Sequence, residues 1–105
     1  MKILKIEPNK SPTIAHIDGS LESMQKVVDG IIQAIYPFEE PVALVCNDES
    51  KIRGMPFNRY LSDDKHGVYD YIAGTFFLCA CPPDSDSFES LTEEQIRRYS
   101  KIFAL

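Results

Sequence analysis

The sequence lacks long apolar runs, and this absence argues against a membrane-spanning helix. None of its apolar segments approaches the roughly 20 residues that a helix needs to cross a bilayer. The first eight residues, MKILKIEP, are interrupted by lysines and end in proline. They therefore lack the long apolar region of a signal peptide. We expect a cytoplasmic protein that does not associate with membranes.

Cysteine and histidine are also scarce. The chain has three cysteines, Cys46, Cys79 and Cys81, and two histidines. An odd number of cysteines excludes a fully paired set of internal disulfides. Zinc sites usually show paired ligands at characteristic spacings, and no second Cys or His pair accompanies Cys79 and Cys81. We therefore predict no metal site and no cofactor, and we interpret the cysteines as buried apolar residues.

Positive charge is the third deficit. The chain carries 11 basic and 16 acidic residues, for a net charge of −5. We expect no direct nucleic-acid binding, because that function normally requires a basic face. We interpret the acidic clusters as solvated turns and a helix start; the alternative is a surface that imitates DNA phosphates and occupies a basic partner. The clusters are Glu39–Glu40, Asp48–Glu49, Asp63–Asp64, Asp84/Asp86/Glu89 and Glu93–Glu94.

The first half of the chain predicts three strands and a helix. Residues 1–7 alternate in polarity and lead, through a proline-flanked turn, into a second strand at Thr13–Ile17. A serine N-cap and an apolar stripe at three- and four-residue spacing predict a helix over Ser20–Ile35. The apolar, β-branched run Val42–Cys46 predicts a strand that is covered on both faces.

The second half predicts further strands and a final helix. Thr92 and Gln95 have the spacing of a capping box, and we predict that the helix following them spans Glu93–Ala104. The segments before it alternate between strand-like runs and polar turns. The strand-like segments are Lys51–Arg53, Val68–Ile72 and Thr75–Cys81; for Val68–Ile72 the alternative is an irregular extended segment.

These elements predict one small α+β domain over residues 1–105. A chain of 105 residues has the usual length of a single domain. It can bury about two-thirds of its unfolded surface. Apolar stripes on two helices imply that both pack on a sheet, which we predict to be curved, mostly antiparallel and built from about four to six strands.

Motifs of familiar catalytic sites are absent. The chain has no phosphate-binding loop, dinucleotide fingerprint, nucleophile elbow or HExxH pattern. Cys46 lies within an apolar run, and apolar surroundings lower the reactivity of a thiol. Acidic residues in turns, such as Asp48, usually have only a turn-forming role. We therefore predict no catalytic residues, and an uncharacterised small enzyme is kept as the alternative.

Polar residues that lie against apolar runs in the middle of the chain are the candidate ligand-binding site. They are Asn47, Asn58, Arg59 and Thr75. Arginine presents a planar fork of donors that suits carboxylate or phosphate groups, so an anionic small molecule is the expected ligand. The alternative is structural: Arg59 pairs with Asp70 and holds a long loop against the sheet.

Four segments of the chain resemble a known family, the uncharacterised domain of unknown function 3846. That family consists of small proteins from gut Firmicutes, their phages and conjugative elements. Its recurrent pattern falls on Asn47, Asn58, Arg59 and Thr75 here, among other positions. The segments are GSLESMQKVVDGII (Gly19–Ile32), PVALVCNDESKIRGMPFNRYL (Pro41–Leu61), IAGTFFLC (Ile72–Cys79) and LTEEQIRRY (Leu91–Tyr99).

The resemblance implies a genomic setting and no established activity. Small proteins in that setting often act on host defence, by blocking a nuclease effector or by sequestering a nucleotide signal. By this analogy we expect a non-enzymatic accessory protein of a phage or mobile element that binds a host defence protein or an anionic small molecule. Such a protein would be an anti-defence factor, of the anti-CRISPR or the signal-sequestering kind. Besides a small enzyme, the alternative is a purely structural or interaction domain of bacterial origin.

Overall fold

The computed structural model describes residues 1–105 and contains seven strands and two helices. The predicted α+β class is confirmed. In chain order the elements are β1 (Lys2–Ile6), β2 (Thr13–His16), α1 (Leu21–Val28), β3 (Ile32–Ile35), β4 (Val42–Asn47), β5 (Phe57–Asp63), β6 (Gly67–Ala73), β7 (Phe76–Ala80) and α2 (Glu93–Ile102).

Five of the strands form one antiparallel sheet with the order β2-β1-β7-β4-β3. The central strands β4 and β7 are buried along their whole length, and β2 and β3 form the two edges. Strands β5 and β6 pair separately as an antiparallel hairpin. The predicted mostly antiparallel sheet is therefore confirmed, with a two-stranded sheet in addition.

The two helices cover opposite faces of the five-stranded sheet. Successive side chains of a strand point to opposite faces, so each central strand contributes to two separate apolar clusters. On the α1 face the cluster contains Ile3, Met24, Val28, Ala43, Val45, Phe77 and Cys79. On the α2 face, which the β5–β6 hairpin also covers, it contains Leu4, Ile6, Val42, Leu44, Cys46, Leu61, Ile72, Phe76, Leu78, Ala80, Leu91, Ile96, Tyr99 and Phe103.

The predicted helix over Ser20–Ile35 is correct only in its first half, because α1 ends at Val28. Asp29 follows in the left-handed conformation with φ of 62°, and its N–H donates to the carbonyl of Gln25. The residues that follow form β3 and pair with β4. Apolar residues in this segment fit both a helical stripe and a half-buried strand, and the hydrogen bonds available along β4 decide for the strand.

The capping box predicted for the last helix is confirmed. The N–H of Gln95 donates to Oγ1 of Thr92 at 3.1 Å, and the N–H of Thr92 donates to Oε1 of Gln95 at 2.9 Å. Leu91 and Ile96 flank this box and are both buried against the α2 face. Neither helix of the protein combines the length and the apolar character that crossing a membrane requires.

The hairpin and the turn before it differ from the prediction in two segments. Strand β5 (Phe57–Asp63) was not among the predicted strands. Lys51–Arg53 was predicted to be a short strand, which is wrong, because these residues form turns between β4 and β5. The predicted strand at Val68–Ile72 is confirmed within β6. Leu61 and Ile72 point from the hairpin into the apolar cluster on the α2 face, and their burial holds the hairpin against the sheet.

Candidate functional site

Asn58 and Arg59, two of the predicted ligand-binding residues, are buried where the hairpin meets the sheet. Their exposed fractions are 4% and 8%. The Nδ2 of Asn58 donates to the carbonyls of Ile6 and Gly74, both at 2.8 Å. These carbonyls lie at the end of β1 and just before β7, so the amide of Asn58 joins the start of β5 to two strands of the sheet.

The Arg59 guanidinium bonds mainly to backbone carbonyls. Its Nε donates to the carbonyl of Phe103 at 2.9 Å, and its Nη2 donates to that of Lys10 at 2.6 Å. A third bond runs from Nη1 to Oδ1 of Asn58, also at 2.6 Å. Phe103 is the C-cap of α2, where the helix dipole favours a positive charge. Burial lowers the pKa of Arg59. The alternative pairing of Arg59 with Asp70 is wrong, because Asp70 bonds to Lys51.

Asn47 is also fully engaged in bonds within the chain, and it is 2% exposed. Its Nδ2 donates to the carbonyls of Val28 and Asp29, at 3.1 and 3.0 Å, and its Oδ1 accepts from the N–H of Glu49 at 2.7 Å. The side chain therefore fixes the turn between α1 and β3. A residue larger than glycine would clash at position 30, because its Cβ atom would lie 2.7 Å from the Asn47 Nδ2.

Thr75 lies apart from the other three predicted residues. It borders a shallow groove of about 480 Å³ that also contains Lys5, His16 and Lys26. Asn47 borders a different cleft, described below, and the other two predicted residues are buried. The four residues therefore do not line a common pocket, and their role in ligand binding stays a prediction.

A narrow cleft of about 290 Å³ separates β3 from the hairpin, and we call it the edge cleft. Lys51 closes one side of it: its Nζ lies 2.7 Å from Oδ1 of Asp70 and 4.3 Å from the ring centroid of Tyr71. The hydrogen bond from Lys51 lowers the pKa of Asp70. Residues that border the edge cleft include Gln33, Ile35, Cys46, Asn47, Asp48 and Ile72.

The cysteines are free thiols, and two of them are buried. Cys46 faces the edge cleft, where its Sγ lies 4.0 Å from Oε1 of Gln33. Burial is the main reason that its pKa is raised, and burial raises the pKa of Cys79 to about 12. The thiolate is the reactive form, so both residues have the character of buried apolar side chains. No three His, Cys, Asp or Glu side chains are grouped so as to hold a metal ion.

The hairpin carries a group of exposed aromatic side chains that we call the aromatic surface: Phe57, Tyr60, Tyr69 and Tyr71. Their exposed fractions are 47%, 63%, 49% and 40%. The ring centroid of Phe57 lies 4.7 Å from that of Tyr60 and 6.1 Å from that of Tyr71. Sequence reasoning missed this surface. The alternation of Tyr69 and Tyr71 in a predicted strand was the signal that could have revealed it.

A larger groove of about 690 Å³ lies next to the aromatic surface. Four carboxylates line it, from Glu39, Glu40, Asp63 and Asp64, against two cations, Lys65 and Arg98. Arg98 pairs with Glu40, the carboxylates remain in excess, and we call it the acidic groove. A hydrogen bond from the Tyr99 hydroxyl is the main cause of a lowered pKa at Glu40. The groove continues into the small cleft beside Tyr60 and Tyr69, because both are bordered by Phe38, Ser62 and Ile102.

Comparison with known proteins identifies the family of the chain. The model of a family described as a domain of unknown function (DUF3846) matches residues 1–104. The resemblance predicted from the sequence is therefore confirmed over nearly the whole chain. No curated protein and no solved structure matches the chain.

Proposed function

The chain belongs to the DUF3846 family, and from this premise we propose that it is a non-enzymatic accessory protein of a phage or mobile element that binds a partner protein. The aromatic surface of the hairpin carries the proposal. The genomic setting comes from the family resemblance alone, by analogy. Binding of a small anion at the four predicted polar residues is less favoured, since they line no common pocket.

Stability of the hairpin accounts for only part of the aromatic surface. Tyr60 lies directly opposite Tyr71 across the two strands, and such a pair stabilises a hairpin by about 0.2–1 kcal/mol. Tyr69 makes no ring contact of this kind and is 49% exposed. Exposed Tyr side chains combine a large apolar area with a hydroxyl group, and tyrosine is enriched among the residues that dominate protein interfaces.

Charge indicates what kind of partner fits. The chain has a net charge of −5, and the acidic groove continues from the aromatic surface. A partner with a basic surface would meet complementary charge on the groove and an apolar contact on the hairpin. Nucleases and other nucleic-acid-binding proteins carry such a basic surface. A host defence protein of this class is therefore the proposed partner, and binding would compete with its nucleic acid.

The proposal is tested with a photo-crosslinking amino acid placed at position 60 in cells of the natural host. Position 14 on the edge strand β2 is the matched control, because Ile14 is also an exposed strand residue, at 54%. We expect one basic protein to be crosslinked from position 60 and not from position 14. With that protein purified, Tyr60→Thr should weaken binding at least about tenfold, whereas Ile14→Thr should not change it.

Salt dependence provides an independent measurement on the same complex. Because exposed charges are screened at high ionic strength, affinity should fall as salt is raised from about 0.05 M to about 0.5 M. Equal crosslinking from both positions, or a complex that is insensitive to Tyr60→Thr, would contradict the proposal.

A further inference from the structure

The outer edge of β3 is open for pairing with another strand. The N–H of Asp48 donates to the carbonyl of Ile31 at 2.8 Å, which makes these two residues a hydrogen-bonded pair. Hydrogen-bonded pairs alternate along antiparallel strands. Gln33 therefore bonds to β4, whereas Ile32 and Ala34 direct their N–H and C=O groups outward. No other group of the chain bonds to these outward groups.

This edge lacks the devices that normally prevent strands from pairing. Natural sheets protect their edges with charged side chains, prolines or bulges. The nine residues 30–38 contain no charged side chain, and their single proline, Pro37, follows β3 and does not interrupt it. Ile31 and Tyr36, at the two ends of the strand, are 56% and 62% exposed. The edge is therefore uncharged, and it is flanked by exposed apolar side chains.

We propose that β3 pairs antiparallel with β3 of a second copy of this chain, about a two-fold axis at Gln33. This register places Ile32 opposite Ala34 of the second copy, and both residues have their backbone groups free for bonding. It also places Ile31 opposite Ile35 of the second copy. Ile35 borders the edge cleft, so the exposed Ile31 side chain of each copy covers the open side of the cleft in the other.

The charge of the chain favours self-association through this edge over self-association through its other surfaces. Two chains that each carry −5 repel each other where their acidic clusters meet. The β3 edge is a segment where two copies approach without bringing like charges face to face. A two-fold axis makes both contacts identical and closes the assembly at two chains. The result is one continuous sheet of ten strands, five from each copy.

The size of the contact sets the expected strength. Strand β3 has four residues, and a contact of this length belongs with the small interfaces of transient complexes. The dimer is therefore weak and depends on concentration. It would present two copies of the aromatic surface, so that a partner with two sites is bound more tightly than by a single chain.

Sedimentation equilibrium of the full chain, from about 5 µM to about 500 µM, tests the proposal without any partner. We expect a reversible monomer–dimer equilibrium. Ala34→Pro removes only an outward N–H and should give monomers. Ile14→Pro is the matched control, because the bond from the N–H of Ile17 to the carbonyl of Met1 shows by the same alternation that the N–H of Ile14 also points outward, on β2.

A second pair of variants keeps the test decisive if a proline variant fails to fold. Gln33→Glu places like charges directly opposite each other at the axis and should raise the dissociation constant at least about tenfold. Mixing it with Gln33→Lys should restore dimers. A wild type that is monomeric throughout, or a Gln33→Glu variant that dimerises as well as the wild type, would overturn the proposal. Because the measurement involves no partner, either result leaves the proposed function to its own test.

Discussion

Arg59→Met is the substitution that tests most directly how the domain is held together. The guanidinium of Arg59 bonds to the end of α2 at Phe103, to the β1–β2 turn at Lys10 and to Asn58 on the hairpin itself. Three parts of the chain therefore meet at one side chain. Methionine keeps much of the apolar stem and removes all of the donors.

The magnitude follows from the acceptors that are left behind. The bonds to Phe103 and to the Oδ1 and carbonyl of Asn58 are buried, whereas that to the Lys10 carbonyl is only partly buried. A buried acceptor without a donor costs about 1–3 kcal/mol. Three such acceptors at the low end of this range give a loss of about 3 kcal/mol in the free energy of unfolding. Removing a desolvated charge offsets part of this loss.

Urea unfolding followed by far-UV circular dichroism measures the loss by linear extrapolation. Arg97→Met is the matched control, because Arg97 is exposed on α2, and it should stay within about 0.5 kcal/mol of the wild type. If Arg59→Met also stays within about 0.5 kcal/mol, the structural reasoning is refuted. If that stable variant also fails to bind an anionic nucleotide that the wild type binds, the predicted ligand-binding role gains support instead.

Two further predictions concern the pH dependence of stability at Glu40 and the substitution of Gly30. The pKa of Glu40 is lowered from 4.5 by its hydrogen bond from Tyr99. Its contribution to the free energy of unfolding is therefore fully present above about pH 4.5 and is lost as pH falls through the lower folded-state pKa. Glu40→Gln should lower the free energy of unfolding, measured by urea unfolding, by about 1 kcal/mol at pH 7. The difference between the variant and the wild type should be smaller at pH 3, and an equal difference at both pH values would contradict this. Gly30→Ala should be at least about 1 kcal/mol more destabilising than Gly54→Ala, because both glycines have positive φ but only at position 30 does a Cβ atom meet the Asn47 side chain. Equal urea midpoints for the two alanine variants would refute that.

Secondary-structure elements that are defined by residues close together in the chain were predicted well from the sequence. The capping box of α2 involves residues three apart, and the buried strand β4 is a continuous apolar run bounded by a proline and a polar turn. The residues 31–35 were predicted wrongly as helix, because their apolar positions satisfy both periodicities. The choice depended on β4, whose partner residues begin at Leu44 and end at Asn47.

The candidate site was also predictable only in part. The polar residues Asn47, Asn58 and Arg59 were singled out correctly as buried groups that need partners, since an unpaired buried polar group is costly. The identity of those partners was not predictable. Arg59 bonds to carbonyls 44 and 49 residues away in the chain, and every residue except proline offers the same backbone acceptor and donor.

By itself, therefore, the sequence determined the family, the α+β class, the antiparallel sheet and the need to satisfy polar groups in the middle of the chain. Only the tertiary structure decided that Arg59 bonds to backbone carbonyls and not to Asp70, that four aromatic side chains form one exposed surface, and that β3 is an open edge. The physical reason is that periodicity and capping act over a few residues, whereas these features depend on which distant segments the folded chain brings together.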